Sequence, residues 1–244
     1  MKNEIENMII DKLISEINGD KYKLHEKLLS ENELADIYKV PRITARKAYE
    51  KLEEMGYIYS IQGKGRYLKE KQQYIELQLS GDKSFSQKMK DTGRVLQTKN
   101  ILFEKIKYDK KIYEELQVHK EDEVYKIGRL RIIDKKPSAI HISYLAKSVF
   151  KNIEEDGEGI GSIFSYYELN GYFEFTSYKS IISISFPTAD ERKILGCTSL
   201  VPLLILETNC IDNKSKKVLE YTKIIYRGDT FKYVLSPKDK ATIS

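Results

Sequence analysis

The sequence of 244 residues has no tryptophan, two cysteines, five prolines and three histidines. The cysteines, Cys197 and Cys210, lie 13 apart with no CxxC or Cys/His spacing nearby. That pattern excludes a disulfide framework and argues against structural zinc, and it fits reduced thiols. The histidines, His25, His119 and His141, are scattered. No Ser/His/Asp order, carboxylate pair or metal-ligand spacing accompanies them, so no catalytic constellation is visible and no cofactor is expected. The longest apolar run, LVPLLIL at 200–206, is far short of a membrane span. Acidic residues interrupt the opening MKNEIENMII, which therefore lacks a secretory core. The expectation is a soluble cytoplasmic protein with no membrane partner.

What is present is charge, arranged unevenly. Residues 1–38 carry five lysines and nine acids, a net of −4. Residues 39–51 carry Lys39, Arg42, Arg46, Lys47 and Lys51 against Glu50, a net of +4. Residues 57–71 hold Lys64, Arg66, Lys69 and Lys71 against Glu70, a net of +3. Two neighbouring basic blocks suit a polyanion, although a solvated charged face would look the same.

Periodicity organises the first block. Ile5, Met8, Ile9, Leu13, Ile14 and Ile17 predict an amphipathic helix over 4–18, closed by Gly19. Ser30 and Glu33 have capping-box spacing and open a short helix through 38. After Pro41, the positions Ala45, Ala48, Tyr49, Leu52 and Met55 form one buried stripe, with Arg42, Arg46 and Lys47 off it and Gly56 as the stop. A short capped helix, a tight turn and a longer helix with basic first turns make a helix-turn-helix layout.

The stretch IYSIQGKGRYL at 58–68 places Gly63, Lys64 and Gly65 between two strand-like runs. A phosphate loop would need GxxxxGK[ST] spacing and a helix directly after it, and both are missing. A hairpin wing whose glycines let the backbone approach a groove is the better reading. Residues 71–83 read as a polar linker with a strand near 74–79. Beyond it, helix starts fall at Ser84, Ser162 and Thr188. Strand runs fall at 123–133, 138–145, 176–186, 202–211 and 217–226. Consecutive strands with few helices predict an α+β domain with a largely antiparallel sheet.

Arg129 and Arg131 share one strand face. Burying them calls for an anion, while a surface face with salt bridges would leave them solvated. Glu220, on a face with Thr222, Ile224 and Tyr226, suits either sugar hydroxyls or an internal ion pair. Ser84 and Ser162 suit helix caps as well as ligand contacts. His141 alternates with Ala139 and Ser143, the pattern of a pocket-lining or a structural histidine.

Residues 28–68, LLSENELADIYKVPRITARKAYEKLEEMGYIYSIQGKGRYL, resemble the winged helix-turn-helix of GntR-type bacterial transcription regulators. Residues 84–235, through SFSQKMKDTG, VYKIGRLRIIDKKPSAIHISYL, GSIFSYYELNGY, ADERKILG and VLEYTKIIYRGDTFKYVL, resemble the UTRA effector domain of the HutC-like subgroup. That resemblance implies a winged head at 1–70, a linker at 71–83 and a chorismate-lyase-like α+β effector and dimerisation domain at 84–238. It further implies a homodimer on a pseudo-palindromic operator, most simply a repressor, controlled by a small anionic metabolite such as a sugar phosphate. DNA contacts would come from Asn32, Arg42, Thr44, Arg46, Lys47, Gly63, Lys64 and Gly65. The effector would be lined by Ser84, Phe85, Ser86, Arg129, Arg131, His141, Ser162, Glu220 and Tyr226. Three positions depart from the family pattern. Asn32 replaces a usual arginine, Pro41 a usual serine, and His141 a glutamate common in sugar-phosphate binders. An enzyme on the chorismate-lyase-like domain is the alternative reading.

Overall fold

Residues 2–69, 74–78 and 83–234 are described by a computed structural model of the chain. They fall into two compact units. The first is built on residues 2–69, with Phe186–Arg192 and Cys197–Val201 assigned to it. The second comprises residues 74–185, Lys193–Gly196 and the chain from Pro202 onward.

The first unit contains α1 (Lys2–Asn18), α2 (Glu31–Tyr38), α3 (Arg42–Glu54) and a hairpin of β1 (Ile58–Ile61) and β2 (Gly65–Leu68). The expected capping box is formed: the Ser30 hydroxyl accepts from Glu33 N–H, and the Glu33 carboxylate accepts from Ser30 N–H. Lys39 then takes a left-handed φ of 51°, ending α2, and Pro41 sits extended just before α3. Ile9, Leu13 and Ile17 meet Ala45, Ala48, Tyr49 and Leu52 in one core. On α1 the buried stripe includes Ile10, whereas Ile5 and Met8 of the expected stripe are exposed. Gly63 and Gly65 have φ of +73° and +120°, a left-handed backbone that glycine adopts freely, so the tip of the hairpin can turn without strain. The segment at 25–28 bonds along β2, through Leu28 N–H to Arg66 C=O and Leu68 N–H to Glu26 C=O, and stiffens the wing.

The second unit begins with β3 (Ile75–Gln78), α4 (Phe85–Asp91), β4 (Leu96–Lys105) and α5 (Lys110–Leu116). β5 (Val124–Ile133), β6 (Lys136–Ala146), α6 (Ile153–Asp156), α7 (Ile163–Leu169) and β7 (Phe175–Ser185) follow. α8 (Ala189–Leu195), which spans both units, β8 (Leu203–Asp212), β9 (Val218–Arg227) and β10 (Phe231–Val234) complete the chain. Six strands form one antiparallel sheet in the order β4-β5-β6-β9-β8-β7, while β3 and β10 pair separately in parallel. The five long strand runs read from the sequence are β5 to β9, each within two residues. The segment assigned to a linker at 71–83 holds β3, and from Tyr74 onward it belongs to the second unit, because β10 supplies the hydrogen-bonding partner of β3. The rest of that segment lies largely outside the described residues.

Candidate functional site

The first site is the exposed front of α3 and the wing. Arg42, Arg46 and Lys47 are exposed on α3, Asn32 is exposed on α2, and Gly63, Lys64 and Gly65 are exposed at the wing tip. Helical geometry brings Arg42, Ile43, Arg46 and Lys47 to the solvent side of the first turns. Thr44 corrects the sequence reading: it is 2% exposed, and its Oγ1 has no hydrogen-bond partner among the described residues. The threonine falls beside Ala45 and Ala48 on the inward side, so its side chain does not reach a groove. Ile43 is 48% exposed on the outer face, beside Arg42, Arg46 and Lys47.

Glu31 ties the two parts together. Its carboxylate accepts from Arg42 Nε at 2.8 Å and from Arg66 Nη1 at 2.7 Å. Arg66 in turn lies over the Tyr49 ring at 5.0 Å, and Tyr49 donates its hydroxyl to Leu29 C=O. Burial acting alone would raise the Glu31 carboxyl, but the hydrogen bonds from Arg66 and Arg42 outweigh it and hold it below the ordinary carboxylate range.

The second site lies wholly within the second unit. A cavity of about 130 Å³ is lined by all nine residues assigned to the effector from the sequence: Ser84, Phe85, Ser86, Arg129, Arg131, His141, Ser162, Glu220 and Tyr226. Arg129 and Arg131 come from β5, His141 from the facing position on β6, and Glu220 and Tyr226 from β9. α4 contributes Phe85 and Ser86 from its first turn, and α7 is introduced by Ser162. Both cap serines accept from the helices they open, Ser84 from Gln87 N–H and Ser162 from Ser165 N–H.

Two buried guanidiniums define the chemistry. Arg129 and Arg131 are 2% and 3% exposed, and neither makes an ion pair with a carboxylate among the described residues. Arg129 donates to Ser143 Oγ; Arg131 donates to Thr98 Oγ1 at 2.6 Å and Gly161 C=O at 3.0 Å. Their partners are neutral, and the Nε of each has none. Burial lowers both, and for Arg131 the neighbouring Arg129 charge adds to it, pushing it down to about 9. A guanidinium keeps its proton in a protein, so both are cations at neutral pH. His141 is buried with Nε2 unpaired. Burial, then the charges of Arg131 and Arg129, push it well below its ordinary value of 6.5, so the ring is neutral.

The aromatic side of the cavity is tightly placed. Phe85 stands edge-on to His141 at 4.7 Å, and the Arg131 guanidinium lies 5.8 Å from the Phe85 ring. Opposite, the Tyr167 hydroxyl donates to Glu220 Oε2 at 2.6 Å. Tyr167, Ser143 and Thr98 were not singled out in the sequence, since neutral side chains show their role only through the charged group they hold. Cys210 also lines the cavity, and burial pushes its thiol upward, so it acts as a small protonated wall.

A winged helix-turn-helix unit and an α+β unit with a polar cavity define a DNA-binding regulator with a ligand chamber. The pattern described as "Bacterial regulatory proteins, gntR family" matches residues 5–68, and that of the UTRA domain matches 91–232. The chain belongs to the GntR-family transcription regulators that carry a UTRA effector domain, and not to a family of enzymes. It is similar to the HTH-type transcriptional repressor NagR of Bacillus subtilis, at 26% identity over 93% of this chain and 91% of that protein. It is similar to the mannosyl-D-glycerate transport/metabolism system repressor MngR of Escherichia coli, at 25% identity over 96% of both. Among solved structures it shares its fold with PhnF from Mycobacterium smegmatis, with a TM-score of 0.59 and 19% identity over 94% of this chain and 99% of that one.

Proposed function

We propose that this protein is a sequence-specific repressor whose hold on its operator is set by a small anionic metabolite, most simply a sugar phosphate, bound between Phe85, Arg129, Arg131, His141 and Glu220. The observation that carries the reading is the pair of guanidiniums buried in one cavity, neither in an ion pair with a carboxylate among the described residues, with Glu220 acting on both only through its charge. Burying a cation with no counter-charge is costly, and a site that tolerates two is organised for an anion that is supplied later. Arginine offers paired donors in a plane that matches phosphate and carboxylate oxygens. Glu220, with one oxygen held by Tyr167, keeps the other for a ligand hydroxyl. The names of NagR and MngR as repressors, and of MngR as acting in a mannosyl-D-glycerate system, support both the direction of control and a sugar-related ligand.

In this reading Arg42, Arg46 and Lys47 clamp the major-groove phosphates or base edges, Asn32 supports them, and the Gly63–Gly65 tip enters the adjacent minor groove. Two heads on a pseudo-palindromic operator call for a homodimer in the cytoplasm. In this reading the head is 1–70, the linker 71–83 and the effector domain 84–238, joined by β3 through its pairing with β10. The ligand can act only through a difference in its affinity for the DNA-bound and DNA-free arrangements. The test is fluorescence anisotropy of the DNA upstream of its own gene against a shuffled duplex at fixed salt. Sequence-selective binding supports the operator reading, and equal binding to both duplexes contradicts it.

A further inference from the structure

We propose that His141 takes up a proton when an anion occupies the cavity, so that the site selects effectors whose anionic oxygen reaches the imidazole Nε2. This rests on the cavity being an anion site. It adds which side chain reads the ligand and how that reading is tied to pH.

His141 lies opposite Arg129 across the β5–β6 ladder and opposite Ile224 across the β6–β9 ladder. Its ring is fixed edge-on by Phe85 at 4.7 Å and by Tyr226 at 5.8 Å. Among the described residues Nε2 of this buried ring has no hydrogen-bond partner, and neither has Nε of Arg129 or Nε of Arg131. Three unpaired nitrogens thus belong to residues lining one small chamber.

The groups that face the ring decide its charge. Arg129 and Arg131 face it from β5, and Tyr226 from β9. Lys83 and Lys88 also line the cavity, and Glu220 is the one acid lining it among the described residues. Glu220 is already bonded to Tyr167 through one oxygen. In the empty chamber an imidazolium would be one more buried cation beside two guanidiniums that share the charge of one carboxylate, Glu220, and the ring stays neutral. An entering anion reverses each of these effects. It offsets the guanidinium charges, and it gives Nε2 an acceptor that binds an N–H donor most strongly when the ring is charged. The proton comes from solvent. A neutral sugar offsets no charge, and its hydroxyl can donate to the unprotonated Nε2 as readily as it accepts, so it does not favour the charged ring. The sign follows: the bound state holds the extra proton, so affinity is highest at low pH. It falls by up to about tenfold per pH unit as pH rises through the bound-state value of His141.

The probe is sulfate, a tetrahedral dianion that carries no titratable proton of its own near neutral pH. The full chain has only three histidines, so His25 and His119 serve as internal references in a histidine ring NMR titration. With saturating sulfate the His141 signal is expected to titrate at higher pH than in chloride. Calorimetry in buffers of different ionisation heat is expected to show proton uptake approaching one per sulfate, lost in His141→Gln. Should that variant misfold, the NMR titration of the native chain still decides the point. Sulfate binding with an unmoved His141 signal and no proton uptake would overturn this inference and leave the anion site standing. Absence of any sulfate binding would overturn both.

Discussion

The Tyr167 hydroxyl donates to Glu220 Oε2 at 2.6 Å, and that bond holds a carboxylate of the cavity wall in place. Burial, then the nearby Glu220 charge, raise the Tyr167 phenol well above its ordinary value, so it is a permanent donor across the physiological range. Tyr167→Phe removes the donor and leaves a buried carboxylate oxygen unpaired. Such a loss costs about 1–3 kcal/mol. Urea unfolding followed by circular dichroism should show it, and a change below about 0.5 kcal/mol would mean that water replaces the hydroxyl without loss.

Arg131→Met tests the opposite kind of residue. A cation with only neutral partners is expected to burden the empty protein. Removing a buried charge that has no ion-pair partner removes its desolvation cost. The ligand-free variant should therefore melt at the same temperature as the native chain or higher, while losing any melting shift caused by phosphorylated sugars. A lower melting temperature would show that the bonds from Arg131 to Thr98 and Gly161 outweigh the burial cost.

Glu31 connects the reading helix to the wing, and its charge has a pH signature. Its folded carboxyl is held below the unfolded value by Arg66 and Arg42 against the opposing effect of burial. The contribution is therefore fully present above the unfolded carboxylate range and disappears as pH falls through the folded value. Glu31→Gln should lower the melting temperature at pH 7 and converge with the native chain once the pH is below the lowered folded value. Parallel curves at both pH values would mean that the pair adds no net stability.

On DNA, Arg46 and Lys64 should separate by type of contact. Arg46 is exposed and paired with Glu50 on its own helix, at 2.8 Å. Arg46→Ala should weaken specific binding by about 1–3 kcal/mol and relax base preference. Lys64→Ala at the wing tip should weaken specific and shuffled duplexes alike and reduce the slope of log K against log salt by about one. Interchanged outcomes would exchange their roles.

Several features were legible in the sequence because they depend on local rules. Ser30 with Glu33, the Ala45–Ala48–Leu52 spacing and the Gly63/Gly65 pair announce the head without any tertiary information. The nine cavity residues were named through family resemblance. Their spacing alone left Arg129 and Arg131 undecided between a surface ion pair and a buried site, and burial settles that choice. β4 was missed because its alternation breaks at the register shift between Asn100 and Leu102. Thr44 was misread because a threonine two positions from Arg46 looks polar and available, while the helix turns it inward. Ile43 is the converse, an apolar residue that the same geometry leaves outside.

The most direct test of the central claim measures operator affinity with and without ligand in two proteins. A panel of phosphorylated sugars and small acids is titrated into the native chain on its operator, and into Arg131→Met on the same DNA. The account predicts that at least one anionic compound changes the affinity of the native chain, and that Arg131→Met binds the bare operator normally but ignores the compound. An equal response in both proteins would contradict it, because the ligand would then be acting somewhere other than the arginine-lined cavity.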